Sequence, residues 1–337
     1  MIALALAAVT LIPQPQNVVL ILLDDAGYGD FGYTGNALIR TPNIDRLAEE
    51  GVQLTNFYSA SPVCTPSRYS LLTGRDPRRS GLDEGNVLQP YMRKYLHPRE
   101  TTIAELLQES GYATKHVGKW HLGAPNDKNG FTPDSLPLAH GFDEYFGLPY
   151  SNDMIPPIRR DMPLLRGPAK GDDPRYPGYE IAAWNPDQTK LREQYLDESL
   201  RFIDKNKSDK FFLYLAFAMP HIPLHPGVRF AGKSKRGKYG DVIEEIDWVV
   251  GEIANRIRSL GLTSRTTIIF TSDNGPWLEY KERGGNAGPF RYGKGTTWEG
   301  GQHVPGIVWG TPFSGRPTID DQPRSFLDVF AMVARLG

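Results

Sequence analysis

Unbroken apolar runs alternate along the chain with stretches whose apolar residues recur every three or four positions. Residues 17–23 (Asn-Val-Val-Leu-Ile-Leu-Leu) form a continuous aliphatic and β-branched run, residues 211–218 give a second buried run, and residues 266–271 read as a third strand. Such runs predict strands buried on both faces of a parallel sheet. Residues 112–117, running into Gly118, and residues 304–309 predict two more. Between them lie helical patterns. Thr41 as N-cap and Pro42 at the first helical position open one, with Ile44, Leu47 and Ala48 on its apolar face and Gly51 at its end. Pro66 suits the start of a second, with Leu71 and Leu72 as apolar positions. Residues 102–110 (stopped by Gly111), 188–207, 241–260 and 326–336 predict four further helices, the fourth of the six carrying Leu191, Tyr195, Leu196, Leu200 and Ile203 on one stripe. Strands alternating with helices predict an α/β layered sheet. The Pro-rich, polar stretch 154–185 predicts a long insertion lying over the sheet edge.

In open α/β sheets, ligands bind beyond the carboxyl ends of the strands. The polar clusters of this chain fall at those ends: Asp24-Asp25, Lys119-Trp120-His121, His221 and Asp273-Asn274. Each has an ordinary reading. Asp24-Asp25 suits a strand-end turn or a cap, and Asn274-Gly275 suits a turn with positive φ. Lys119 and His121, two apart after a strand, would share one side if strand alternation continued. Prolines on both sides of His221 would orient an imidazole but also suit a plain loop. Lys294, between Gly293 and Gly295, does not fit the glycine spacing of a phosphate-binding loop, yet glycine-flanked backbone can approach an anion closely. Taken together, three carboxylates and an amide oxygen make a hard oxygen cage for Ca²⁺, or less readily Mg²⁺. Arg68, Lys119, Lys294, His121 and His221 could converge on one oxyanion.

Composition sharpens this in three ways. A formal net charge of -1 provides no basic field for nucleic acid or an anionic membrane. One cysteine in 337 residues, Cys64, cannot form an internal disulfide. Glycine (35) and proline (28) are abundant enough to predict long surface loops, where sites are built. The apolar start, residues 1–12, is too short to span a bilayer and resembles the core of an export signal without its basic segment. The expected organisation is therefore a leader or irregular start over residues 1–16 and one domain over 17–337, exported to a periplasm or beyond the cell, with no integral membrane segment. Asn206-Lys207-Ser208 is a glycosylation sequon.

The runs Cys64-x-Pro66-x-Arg68 with Leu71-Leu72-Thr73-Gly74-Arg75, and Gly118-Lys119-Trp120-His121-Leu122-Gly123, resemble the two signatures of the sulfatase family. Asp24-Asp25, Ser272-Asp273-Asn274-Gly275 and Gly293-Lys294-Gly295-Thr296-Thr297 match in the family's order, with wording nearest its arylsulfatase A-like and N-acetylgalactosamine-6-sulfatase-like members. The resemblance implies an α/β/α sandwich around a large, mostly parallel mixed sheet of the alkaline phosphatase-like kind. It implies that a sulfatase-maturing enzyme converts Cys64 to Cα-formylglycine, whose hydrate is the nucleophile: one hydroxyl attacks sulfur, and the other expels sulfate by re-forming the aldehyde. It further implies Ca²⁺ held by Asp24, Asp25, Asp273, Asn274 and modified Cys64. Arg68 and Lys119 would stabilise the hydrate, and His121 would act as base on the covalent sulfate. His221 and Lys294 would hold sulfate and protonate the leaving oxygen, and Ser151 would contact sulfate. Members of the family usually continue into a small C-terminal antiparallel subdomain, so the stop at Gly337 reads as a truncation or loss of that part. The expected activity is hydrolysis of a sulfate ester on a carbohydrate, with aryl sulfates as surrogates. A phosphonate or phosphodiester hydrolase of the same superfamily, and a silent sulfated-glycan-binding homologue, are the competing readings.

Overall fold

The computed structural model describes residues 17–82, 87–89, 91–125, 130–153, 161–313 and 318–336. In chain order the strands are β1 (Asn17–Asp24), β2 (Val52–Leu54), β3 (Phe57–Tyr58), β4 (Ala113–Gly118), β5 (Glu144–Gly147), β6 (Pro163–Gly167), β7 (Glu180–Trp184), β8 (Phe211–Pro220), β9 (Thr266–Ser272), β10 (Gly306–Gly310), β11 (Thr318–Asp320) and β12 (Arg324–Ser325). The helices are α1 (Pro42–Glu50), α2 (Cys64–Thr73), α3 (Ile103–Glu109), α4 (Leu191–Lys205), α5 (Gly237–Ser259), α6 (Glu299–Gln302) and α7 (Phe326–Leu336).

Ten strands form one sheet in the order β11-β2-β10-β9-β1-β8-β4-β5-β6-β7. Its centre, from β9 through β1, β8 and β4 to β5, is parallel. Both flanks turn antiparallel, at β10 on one side and at β6 and β7 on the other. Every residue of β1, β8 and β9 is buried, which explains the long apolar runs of β1 and β8; β9 buries Thr266, Thr267, Thr271 and Ser272 around Ile268, Ile269 and Phe270. The helices α1, α4 and α5 pack on one another and on β4, β8 and β10, while α2, α3 and α7 form a second group. The result is the mixed α/β fold with a large, mostly parallel sheet that the pattern predicts.

Several details depart from the sequence reading. The helix expected from Pro66 begins at Cys64, and α5 begins at Gly237, ahead of the expected Asp241. The strand expected from Val304 begins at Gly306, because Val304 is drawn aside to donate its N–H to the Phe57 carbonyl. Thr41 stands at the N-cap position of α1 but its side chain caps nothing; Asp247 of α5 accepts the N–H groups of Asn43 (3.0 Å) and Ile44 (2.8 Å) instead. The stretch expected to lie over the sheet edge extends the sheet through β6 and β7, where it is described; residues 154–160 lie outside the described residues. Alternate residues of β7 are exposed, as in a strand with one solvated face. Asn206 of the sequon is buried and donates its side-chain amide to the Phe202 carbonyl at 2.8 Å, acting as a helix end. Residues 1–16, where the export signal was read, lie outside the described residues.

Candidate active site

Four parallel strands deliver polar groups to one place. The carboxyl end of β1 carries Asp24 and Asp25, β4 is followed by Lys119 and His121, β8 leads to His221, and β9 leads to Asp273 and Asn274. Successive side chains on a strand face opposite ways. Asp25 escapes that rule because its backbone is left-handed (φ 69°), and His121 (φ 61°) likewise does not continue the strand. The proximity of Lys119 and His121 is therefore set by a turn, not by the strand alternation expected from their spacing.

Cys64 opens α2 and is fully buried among these groups. Its Sγ lies 3.4 Å from Asp24 Oδ1 and 3.5 Å from Lys294 Nζ. Lys119 Nζ donates to Asp24 Oδ2 at 2.5 Å and to Ser151 Oγ at 3.2 Å. One turn along α2, Arg68 donates Nε to Asp273 Oδ2 at 2.9 Å and Nη1 to the Lys119 carbonyl at 3.0 Å, tying β9 to β4. Lys294 Nζ donates to Asp25 Oδ2 at 2.8 Å. Its loop reaches so far inward because Gly293 passes close to Pro276: a Cβ there would lie 2.2 Å from the Pro276 carbonyl oxygen. His221 Nε2 lies 3.7 Å from Asp25 Oδ2, and its Nδ1 lies 2.5 Å from the Ile222 carbonyl.

His121 is placed differently from the others. Its Nε2 pairs with the Leu88 carbonyl at 3.0 Å, away from the carboxylates, while its buried Nδ1 has no hydrogen-bond partner among the described residues. Its backbone is tied to Cys64's neighbour, since Thr65 Oγ1 donates to the His121 carbonyl at 3.3 Å.

The electrostatics follow from crowding charge without water. Burial pushes Asp24 up, but Lys119 and then Arg68 overcome it and hold the carboxyl well below its usual range. Asp273, pushed by burial and then by Asp24, rises to about 7. Burial, and after it the carboxylate of Asp273, drives the Cys64 thiol well up, so the sulfur here is a thiol and not a thiolate. Burial lowers both imidazoles; Lys119 adds to the effect at His121 and Lys294 at His221, leaving two neutral rings able to accept a proton. Lys294 is raised: burial opposes its charge, but the Asp25 carboxylate more than compensates.

A divalent cation fits this arrangement. Ligand atoms of Asp24, Asp25, Cys64 and Asp273 all lie within 4.8 Å of one another. Asn274 donates its Nδ2 to Asp25 Oδ1 at 2.7 Å, and its fully buried Oδ1 has no hydrogen-bond partner among the described residues. An orphaned amide oxygen beside three crowded carboxylates is the donor set that a hard cation completes.

The structure brings all eleven residues singled out from sequence into or against one buried centre. Sequence reasoning missed three supports. Asn152 donates to the carbonyls of His221 (3.4 Å) and Pro223 (3.2 Å), and Gln188 donates to the Asn152 carbonyl at 2.9 Å, so together they pin the His221 turn. Trp277 packs on both His221 and Lys294. Adjacency to Ser151 and to Asn274 was the available signal for Asn152 and Trp277.

A large, mostly parallel mixed sheet with a metal-ready, cation-rich centre at its carboxyl edge is the arrangement of the alkaline phosphatase-like class of fold. Within that class, the Sulfatase family profile matches residues 16–337, and the chain belongs to that family. It is 39% identical over 340 residues to N-acetylgalactosamine-6-sulfatase of Rattus norvegicus, covering 94% of this chain and 61% of that protein. To arylsulfatase A of Homo sapiens it is 39% identical over 343 residues, covering 99% of this chain and 66% of that protein. Among solved structures, the PsFucS1 sulfatase from Pseudoalteromonas sp. superposes with a TM-score of 0.82 at 31% identity, covering 96% of this chain and 68% of that one. The chain thus spans less than two thirds of the length of the rat protein.

Proposed function

We propose that this chain hydrolyses sulfate esters, with a sulfated carbohydrate as substrate and aryl sulfates as surrogates. The observation that carries the reading is the position of Cys64: Sγ sits at a helix start, within 3.5 Å of both a carboxylate and an ammonium, inside the metal-ready cluster. Conversion of Cys64 to formylglycine by a maturing enzyme would supply the nucleophilic hydroxyl of a hydrated aldehyde. Calcium held by Asp24, Asp25, Asp273, Asn274 and the modified Cys64 would supply Lewis acidity to a sulfate oxygen.

The chain's own residues then divide the work. Arg68 and Lys119 stabilise charge at position 64 and fix the carboxylates that face it. His121, neutral and with a free Nδ1, takes a proton when the second half-reaction releases sulfate. Lys294, held cationic, and His221 both lie against Asp25, where they bind the ester and the Lys294 ammonium delivers a proton to the leaving oxygen. Ser151, bonded to Lys119, adds a contact to sulfate. The carbohydrate preference is supported by the rat relative, which is named for a sulfated amino sugar. Export is supported by the apolar start; among the described residues, no helix is long and apolar enough to cross a membrane.

The test is turnover of 4-nitrophenyl sulfate by protein made alongside a maturing enzyme. Cys64→Ala should abolish it, and mass spectrometry of the wild-type peptide should show the thiol replaced by an aldehyde. Undiminished activity in the variant defeats the reading, and faster turnover of a matched phosphodiester would move the chain to phosphoryl chemistry.

A further inference from the structure

Trp277 lies in the segment that leaves β9, three residues beyond Asn274. The Lys294 ammonium stands 4.3 Å from its ring centroid, and the His221 ring lies 5.5 Å away at 59°. Tyr280 meets it edge-on at 4.7 Å and 84°, and its indole Nε1–H donates to Glu279 Oε2 at 3.3 Å. The side chain is therefore fixed on several sides, yet it is only half-buried, while the Lys294 and His221 side chains it covers are 8% and 5% exposed. It forms a wall between those two groups and solvent.

That position has a chemical meaning. Lys294 and His221 are the residues assigned above to the leaving oxygen, so whatever is attached to that oxygen extends past them toward solvent. The surface it meets there is an indole. A rigid indole already held by its neighbours loses little freedom when something stacks on it. Its electron-rich face favours the C–H bonds of a pyranose or the edge of an aryl ring, and the ammonium beside it uses the same property.

We propose that Trp277 is a specificity-determining residue, the platform on which the ring of the departing alcohol rests. It selects sulfate esters of ring alcohols, sugars or phenols, over acyclic ones. The assignment rests on the sulfate-ester reading of the site, and the experiment separates the two.

Cys64→Ala protein in calcium binds ligand without turnover, so binding is read alone. Calorimetric titration with 4-nitrophenyl sulfate and with methyl sulfate is compared in Cys64→Ala, Cys64→Ala/Trp277→Ala and Cys64→Ala/Trp277→Phe. The expected result is an affinity loss of about tenfold for the ring ester in the Trp277→Ala background, the scale of one lost ring contact. Methyl sulfate should change little, and Trp277→Phe should restore most of the loss. In the active enzyme, the ring-to-acyclic ratio of kcat/KM should fall in the same variants. Equal losses for both ligands, no loss for either, or no binding of the ring ester by the Cys64→Ala parent overturns the platform. Ring-selective binding in a Cys64-intact protein that turns over no sulfate ester keeps the platform and defeats the hydrolase reading instead.

Discussion

Asn274 shows how one side chain serves two partners. Its amide N–H₂ donates to Asp25 and to the Gly275 carbonyl, which leaves the oxygen of the same rigid plane bare and buried. A neutral oxygen ligand adds coordination without adding to the charge that, after burial, already lifts Asp273. Asn274→Ala should therefore weaken calcium binding by at least about tenfold, the lower end of what even an outer-shell partner is worth. Calcium titration of the protein reads this directly; an unchanged affinity would remove Asn274 from the ligand set. At this scale the sequence was informative. Cys64, Lys119, Asp273 and Asn274 were each readable from short motifs and from their place at strand ends. Trp277 was not, since its role depends on touching Lys294 and His221, which come from two other segments.

At the scale of elements, the start of α1 is held from a distance. Asp247 accepts from the backbone of Asn43 and Ile44, a cap supplied by a residue 204 positions away. Thr41, the expected cap, instead donates to Asp45 Oδ1 and accepts from Gly32. Asp247→Ala should lower stability by about 1–2 kcal/mol in urea unfolding, the usual worth of a helix cap. Burial raises the Asp247 carboxyl to about 7, against roughly 3.9 in an unfolded chain. A raised folded value means that its contribution is full below about pH 4 and is lost as pH rises through about 7. Asp247→Asn, which cannot ionise, should gain on the wild type over that interval, and unfolding curves at a series of pH values will show it. By contrast α3 is capped locally: Thr102 and Glu105 form a reciprocal box that is legible in four residues of sequence.

Across the whole molecule, a partly buried ionic cluster joins the helical layer to the sheet. Glu198 of α4 accepts from Lys115 of β4 at 2.8 Å and from Arg166 of β6 at 2.7 Å, with Arg201 also bonded to it. Burial pushes Glu198 up, but Lys115 and the two arginines prevail and hold it at about 2. Glu198→Gln leaves Lys115, whose side chain is 5% exposed, with Glu144 Oε2 at 3.1 Å as its remaining carboxylate, so the change should cost about 1.5–3 kcal/mol at neutral pH. A depressed folded value places that stabilisation above the unfolded value of about 4.3 and removes it as pH falls toward 2. The gap between wild type and variant in denaturant unfolding should close over that range.

The sequence alone determined the alternation of strands and helices, because a strand buried on both faces must carry an apolar run, as residues 18–23 of β1 and 211–219 of β8 do. It also determined which polar groups stand at the ends of those strands, because an apolar run stops where the chain meets chemistry. Tertiary structure decided what periodicity cannot carry. β6 and β7 are short and bulged between Leu164 and Leu165, so their alternation is too brief to read. The turn at His121 and the distant cap on α1 depend on backbone and partners that no local pattern specifies. The same is true of the wall that Trp277 builds beside Lys294: sequence places a tryptophan near the site, but only packing decides which side of the reacting group it faces.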